Sequence, residues 1–174
     1  PAATADIVLK DMPIAEVLAD KRTDAVLIGP GLGRDAKARA RLGEVLAAGH
    51  PTVIDADALH LIDPAAVESF SAPLVVTPHE GELAQLNKCF AIEPGTKLAC
   101  ARALARATGA VVLAKGPDTV IAAPDGQIVL APSASSWLAV AGSGDVLAGL
   151  VASRLAATGD PLRAACEAHW LHGE

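Results

Sequence analysis

The sequence predicts an α/β fold, a three-layer α/β/α sandwich around a largely parallel central sheet. Three observations carry this expectation. Short apolar runs of strand length recur at 24–29, 51–55, 74–77 and 110–115, each bounded by glycine, proline or a charge. Stretches with helical spacing separate these runs, and such crossovers are right-handed and cover both faces of a parallel sheet. The 174 residues are 52% hydrophobic, which suits one domain over the whole chain with a sizeable core.

In order, residues 1–22 are weakly patterned. Ile7-Val8-Leu9 is a candidate edge strand, and 14–18 a helical turn or two. The first clear strand is 24–29, followed by a glycine loop and a helix over 35–48 that ends at Gly49. The second strand, 51–55, leads into short helical pieces at 57–62 and 64–70. The third, 74–77, is broken off by Pro78. Helices are expected over 80–87 and 94–108, then a fourth strand over 110–115. Residues 119–123 and 127–131 flank Pro124-Asp125-Gly126, which has the chemistry of a hairpin turn. A serine-rich loop precedes Gly142-Ser143-Gly144-Asp145, from which a long apolar helix runs to about Ala157. A last helix spans 161–172. No repeat, low-complexity tract or linker divides the chain.

Composition removes several classes of function. A net charge of −6 does not suit a phosphate-backbone partner. Aromatic residues at 2%, with no tyrosine, offer no stacking platform for nucleic acid. Cys89, Cys100 and Cys166 show no C-x-x-C spacing, so neither a disulfide framework nor a zinc site is expected and a reducing cytoplasm is the default. No apolar run reaches the roughly 18 residues of a membrane span, and no signal peptide is visible. The chain opens on Pro1 and stops at Glu174 within a helical pattern, so it reads as a piece of something longer.

Ligands bind beyond the carboxyl ends of parallel strands, and the unusual residues cluster there. Gly142, Ser143 and Gly144 open a helix with little side chain in the way, so an anion can rest on backbone amides at the positive end of the helix dipole. Asp145 stands at the mouth of that site and is a candidate base for phosphoryl transfer. The alternative is that Ser143 or Asp145 merely caps the helix. Gly29-Pro30-Gly31-Leu32-Gly33 resembles a dinucleotide loop, but Arg34 stands where the fingerprint needs its third glycine. The loop reads instead as backbone passing close to a flat ligand, or as a tight turn. No Walker-type phosphate loop is present. In Thr77-Pro78-His79-Glu80-Gly81-Glu82, His79 and Glu82 share a helical face: His79 could touch substrate and Glu82 could hold Mg²⁺ through water, unless the acids simply favour a first turn. Lys115-Gly116-Pro117-Asp118-Thr119 offers a lysine to a phosphate and a glycine to a nucleotide, or is only a hairpin entry. Asp57 reads as a helix cap, and His169 and His172, lacking zinc-pair spacing, as core or surface residues.

Taken together, Gly29-Pro-Gly-Leu-Gly33, Ile54-Asp-Ala-Asp-Ala-Leu59, Thr77-Pro-His-Glu-Gly-Glu82, Lys115-Gly-Pro-Asp-Thr119 and Ala141-Gly-Ser-Gly-Asp-Val-Leu-Ala-Gly149 resemble the ADP/ATP-dependent NAD(P)H-hydrate dehydratases. The closing Ala168-His-Trp-Leu-His-Gly173 is similar to that family's C-terminal helix. The resemblance implies a ribokinase-like fold and a repair reaction. The hydroxyl of NADH or NADPH hydrate is phosphorylated from ADP (or ATP), and expulsion of phosphate restores the cofactor. It also implies roles for particular residues. Asp145 would contact the hydrate and activate its hydroxyl, with Gly142, Ser143 and Gly144 as anion hole. Lys115, Gly116, Pro117, Asp118, Thr119 and Gly144 would line the nucleotide. Gly31, Gly33 and His79 would hold the hydrate, and Glu82 would serve Mg²⁺. The implied partners are the hydrate and an adenine nucleotide, with a homo-oligomer and a fused epimerase domain in the full protein; no nucleic acid or membrane is expected. The family's N-terminal glycine-rich loop has no counterpart before Asp24, and Ser136 precedes Trp137 where many relatives carry proline. Two other readings follow from the same residues: a superfamily kinase acting on a vitamin-precursor alcohol, and a non-catalytic nucleotide-binding module.

Overall fold

The computed structural model describes residues 13–131 and 140–173. The expected edge strand Ile7-Val8-Leu9, most of the serine-rich loop and the Ser136-Trp137 pair lie outside the described residues. A six-stranded sheet runs in sequence order: β1 (Val26–Ile28), β2 (Thr52–Ile54), β3 (Leu74–Val76), β4 (Val111–Ala114), β5 (Val120–Ala122) and β6 (Ile128–Leu130). The first four strands pair in parallel; β5 pairs antiparallel with β4 across the turn at 115–119 and with β6 across the Pro124-Asp125-Gly126 turn. The helices are α1 (Ile14–Leu18), α2 (Ala36–Ala48), α3 (Pro64–Glu68), α4 (Glu80–Cys89), α5 (Lys97–Thr108), α6 (Ser143–Thr158) and α7 (Pro161–Gly173). A 3₁₀ helix over Ala56–Leu61 follows β2.

Side chains alternate across the sheet with a period of two, so each strand feeds two cores. Ile28, Ile54, Val76 and Val112 face one way and pack with Leu42 and Val45 of α2, Leu83 of α4 and Leu104 of α5. Val53, Val75, Val111, Leu113 and Ile121 face the other way, under Leu147, Val151 and Leu155 of α6 and Ala164 and Ala168 of α7. The result is the three-layer sandwich that the alternating pattern predicts. Leu104 and Leu155, both fully buried, anchor the two outer layers; trimming such a leucine to alanine typically costs about 2–5 kcal/mol.

Helix starts follow side-chain caps. Asp35 accepts from the Ala38 amide at 2.8 Å and begins α2. The expected helix over 94–108 starts at Lys97 instead, because Thr96 is the residue whose hydroxyl accepts a first-turn amide (Ala99 N, 3.2 Å). Arg154 of α6 donates to Glu167 of α7 at 2.7 Å and ties these two helices together on one face of the sheet, while Arg163, one turn before Glu167 in α7, donates to the same carboxylate at 2.6 Å.

Candidate active site

The hydrogen-bond ladder continues past the strand ends. Asp55 N donates to Ile28 O at 3.1 Å, Thr77 N to Ile54 O at 3.2 Å, and Lys115 N to Pro78 O at 2.8 Å. This places Asp55, Thr77 and Lys115 side by side at the carboxyl ends of β2, β3 and β4. Each lies an even number of residues beyond Val53, Val75 and Val111, so their side chains take the α6 face. Gly29 fixes the row at its other side. Its φ is +139°, and a β-carbon there would stand 1.7 Å from the Asp55 carbonyl oxygen, so β1 can close on β2 only through glycine.

In that row Asp55 is 1% exposed. Its Oδ1 accepts from Thr77 Oγ1 at 2.7 Å and from Lys115 Nζ at 2.8 Å, while its Oδ2 is buried with no partner among the described residues. Lys115 Nζ lies 3.4 Å from the point where a Gly144 β-carbon would be. The amine therefore sits directly against the opening turn of α6.

Gly142 takes the N-cap position of α6 with φ +87°, and no side chain caps the helix. The cap readings of Ser143 and Asp145 are thus corrected: an αL cap residue aims the chain so that neither side chain reaches the orphan amides. The Ser143 amide donates to Val140 O at 3.2 Å, whereas those of Gly144 and Asp145 have no acceptor among the described residues. Of the three residues of the expected anion hole, only Ser143 has its amide engaged; the amides of Gly142 and Gly144 have no acceptor among the described residues. Asp145 is exposed in this first turn. His172, read from the sequence as a core or surface residue, reaches back from α7. Its Nε2 lies 2.9 Å from Ser143 O and 3.0 Å from Ser143 Oγ. A carbonyl can only accept, so Nε2 carries the proton.

Residues 116–118 are exposed and Thr119 is buried, its hydroxyl donating to Gly116 O at 2.8 Å and closing the turn that follows Lys115. Asp118 forms an ion pair with Lys97, a residue that sequence reasoning passed over; Lys97 Nζ also meets Glu80 at 2.9 Å. Burial works against the charge of Lys97, but Asp118 and Glu80 together hold its pKa above the ordinary value. The same lysine hydrogen bond holds the Asp118 carboxyl below the usual carboxylate range. Thr96, Lys97, Asp118, Thr119, Leu130 and Ala131 line a cleft of about 340 Å³ beside this segment. A larger groove of about 590 Å³ follows α1 and β1 and touches neither 115–119 nor the α6 start.

His79 is the N-cap of α4. Its Nδ1 accepts from Gly81 N at 2.9 Å and Glu82 N at 3.3 Å, and Glu82 Oε2 accepts from His79 N at 2.8 Å, a reciprocal capping box. The first-turn role weighed for Glu82 is therefore present, and one oxygen, Oε1, remains 3.4 Å from His79 Nε2. The imidazole is 61% exposed. Among the described residues no group of three or more His, Cys, Asp or Glu could hold a metal ion unaided. Glu82, the acid assigned to Mg²⁺ from the sequence, is buried at 6% exposure with Oε2 on the His79 amide, so Oε1 is the oxygen it could offer to a Mg²⁺ that arrives with nucleotide phosphates.

Gly31 and Gly33 are exposed in the loop after β1. Asp57, expected to cap a helix, closes this loop instead, because Asp55 takes the N-cap position. Asp57 accepts from Gly33 N at 3.1 Å and Arg34 Nε at 2.8 Å, and the arginine hydrogen bond, with Gly33's second, lowers its pKa.

Comparison with known proteins shows the family. The family model described as NAD(P)H-hydrate dehydratase matches residues 2–174. The bifunctional NAD(P)H-hydrate repair enzyme Nnr of Mycobacterium tuberculosis is 44% identical over 138 residues, covering 78% of this chain and 28% of that one. The ADP/ATP-dependent NAD(P)H-hydrate dehydratase of Bacillus subtilis, co-crystallised with ATP and Mg²⁺, superposes with a TM-score of 0.69 at 31% identity, over 86% of this chain and 53% of that one. A ribokinase-like superfamily protein of Enterococcus faecalis gives a TM-score of 0.76 at 27% identity, over 92% and 56%. The chain thus spans between about a quarter and a little over half of these relatives. With a match along almost its full length, the chain belongs to the NAD(P)H-hydrate dehydratase family.

Proposed function

We propose that the protein containing this chain uses ADP to phosphorylate the hydroxyl of NADH or NADPH hydrate and then eliminates phosphate, restoring the dihydronicotinamide. The observation that carries this is the start of α6: an uncapped helix terminus with open amides at Gly144 and Asp145, an exposed carboxylate at Asp145 and the Lys115 amine alongside. Asp145 takes the proton from the hydrate hydroxyl while the hydroxyl oxygen bonds to the terminal phosphorus of ADP. The bond from that phosphorus to the bridging oxygen breaks and AMP leaves. The amides and Lys115 stabilise charge on the moving phosphoryl group. In the second half-reaction the ring nitrogen's electron pair expels inorganic phosphate, and loss of a proton from the neighbouring carbon restores the ring double bond.

Residues 115–119 hold the adenine nucleotide, with Gly144 against it; Gly31, Gly33 and His79 Nε2 hold the hydrate. Mg²⁺ would neutralise charge at the phosphates when bound with the nucleotide, and Glu82 would be the acid that supports it. The setting we propose is the cytoplasm, in a homo-oligomer and in a longer polypeptide with a second catalytic domain, as in the bifunctional mycobacterial relative.

The test is to incubate the full-length protein with ADP, Mg²⁺ and enzymatically hydrated NADH. Return of dihydronicotinamide absorbance with release of free phosphate is expected. A stable phosphorylated product made preferentially from ATP would replace this reading with a small-molecule kinase, and ADP binding without turnover would replace it with a non-catalytic module.

A further inference from the structure

Asp55 has a role that neither packing nor the reaction just described accounts for. A carboxylate at 1% exposure is an expensive group to bury, and this one is only partly compensated: Thr77 and Lys115 share Oδ1, and Oδ2 has no partner among the described residues. A buried ion pair of this kind is weak evidence for stability, because taking both charges out of water offsets their attraction. What it does provide is a fixed position for the amine. A lysine carries its charge on a flexible four-carbon stem, and a phosphate site needs that charge in one place.

We propose that Asp55 is a positioning residue that holds Lys115 Nζ against the first turn of α6, where the ammonium receives the phosphates of a nucleoside diphosphate. Thr77 sets the carboxylate, the carboxylate sets the amine, and the amine stands 3.4 Å from where a Gly144 β-carbon would be. An ammonium has three N–H donors. Asp55 accepts one, and two remain for phosphate oxygens beside the open amides of Gly144 and Asp145. The proposal rests on the reading of residues 115–119 as the nucleotide segment, and it concerns nucleotide binding alone.

The test uses the full-length protein with calorimetric titration of ADP and Mg²⁺, followed by steady-state kinetics. Lys115→Met is expected to weaken ADP binding by about 10- to 100-fold, the range for one charge-assisted contact. Asp55→Asn should weaken it by about tenfold, and the double variant should bind no more weakly than Lys115→Met, since Asp55 acts only through the lysine. The KM for ADP should rise while that for the hydrate stays within about twofold; a merely structural defect would move both. Independent, multiplying losses in the double variant would overturn the proposal, as would Asp55→Asn binding ADP within twofold of the parent. If Asp55→Asn does not fold, Thr77→Val takes its place: its loss of ADP affinity must vanish in a Lys115→Met background, and persistence there refutes the chain of contacts. A parent protein that binds ADP but never restores NADH defeats the dehydration reading and leaves this one standing. One that binds no adenine nucleotide defeats both.

Discussion

Replacing Gly29 with alanine tests how the sheet edge sets the site. Two penalties coincide at this position. The backbone stands at φ +139°, which L side chains rarely adopt, and the new β-carbon would lie 1.7 Å from the Asp55 carbonyl oxygen, with the Ala58 side chain at 3.2 Å. Real β-carbons essentially never approach closer than 3.0 Å, so β1 and β2 must part by more than an ångström at their carboxyl ends. The obstructing atom is backbone and cannot rotate aside. Strain from the unfavourable φ is worth about 1–3 kcal/mol, and overpacking against fixed backbone a further 1–3 kcal/mol or so. A loss of about 3–5 kcal/mol is therefore expected from a total that is usually 5–15 kcal/mol, a fall in melting temperature on the order of 10 °C for a domain of this size. Gly49→Ala is the control: φ is +70° there, but nothing lies within 4 Å, so only the left-handed penalty of roughly 1–2 kcal/mol applies. Urea unfolding of the two variants in the full-length protein measures the difference. If Gly29→Ala loses no more than Gly49→Ala, the close approach of Gly29 to Asp55 does not constrain the fold, and the argument that this glycine seats the aspartate fails.

Asp145→Asn should retain ADP binding while lowering turnover by roughly 10²- to 10⁴-fold, the usual contribution of a general base; a variant keeping more than about a third of the parent kcat shows that the carboxylate is not the base. Lys97→Ala removes the strap between Asp118 and Glu80, and because both acids are exposed the melting temperature should change little, while ADP affinity falls as the 116–118 segment loosens; unchanged affinity in calorimetry would show that the segment needs no strap. Burial first, and the neighbouring charge of His172 second, lower the pKa of His169. A histidine with a depressed folded pKa binds fewer protons folded than unfolded, so stability is full above the unfolded value near 6.5 and declines as pH falls below it. His169→Gln should flatten that decline in thermal melts across pH 5–8, and an unaltered slope would assign it to other groups.

The fold was legible because its signals are local and periodic: four apolar runs, a turn at Pro124-Asp125-Gly126, and side chains such as Asp35 where a helix must begin. Misplaced boundaries trace to competing caps. Pro94 looks like a helix start, yet Thr96 has the hydroxyl that an orphan amide needs, and the chain obeys the hydroxyl. Asp57 looks like a cap as well, but Asp55 already occupies that position, which frees Asp57 to close the glycine loop across 24 residues of sequence. Long-range pairings of that kind leave no mark on local spacing.

The site divides in the same way. The small residues before Asp145 announce an uncapped helix, and that much is visible in the sequence. Lys97 was missed, although a lysine in the first turn of a helix opposes the dipole and so calls for acids from elsewhere, here Asp118 and Glu80. His172 was missed because its partner lies 29 residues away on the preceding helix. The Asp55–Thr77–Lys115 row stands between these cases. Each residue sits two or four positions beyond a strand residue of the α6 face, so the alternation that builds the hydrophobic core also decides which polar side chains meet past its end. A one-residue slip of β2 against β1 would turn Asp55 to the other face and leave Lys115 unpaired. The apolar pairing of Ile28 with Ile54 and Ile54 with Val76 therefore sets more than stability: it determines where the ammonium can stand, and through it where a diphosphate can be received.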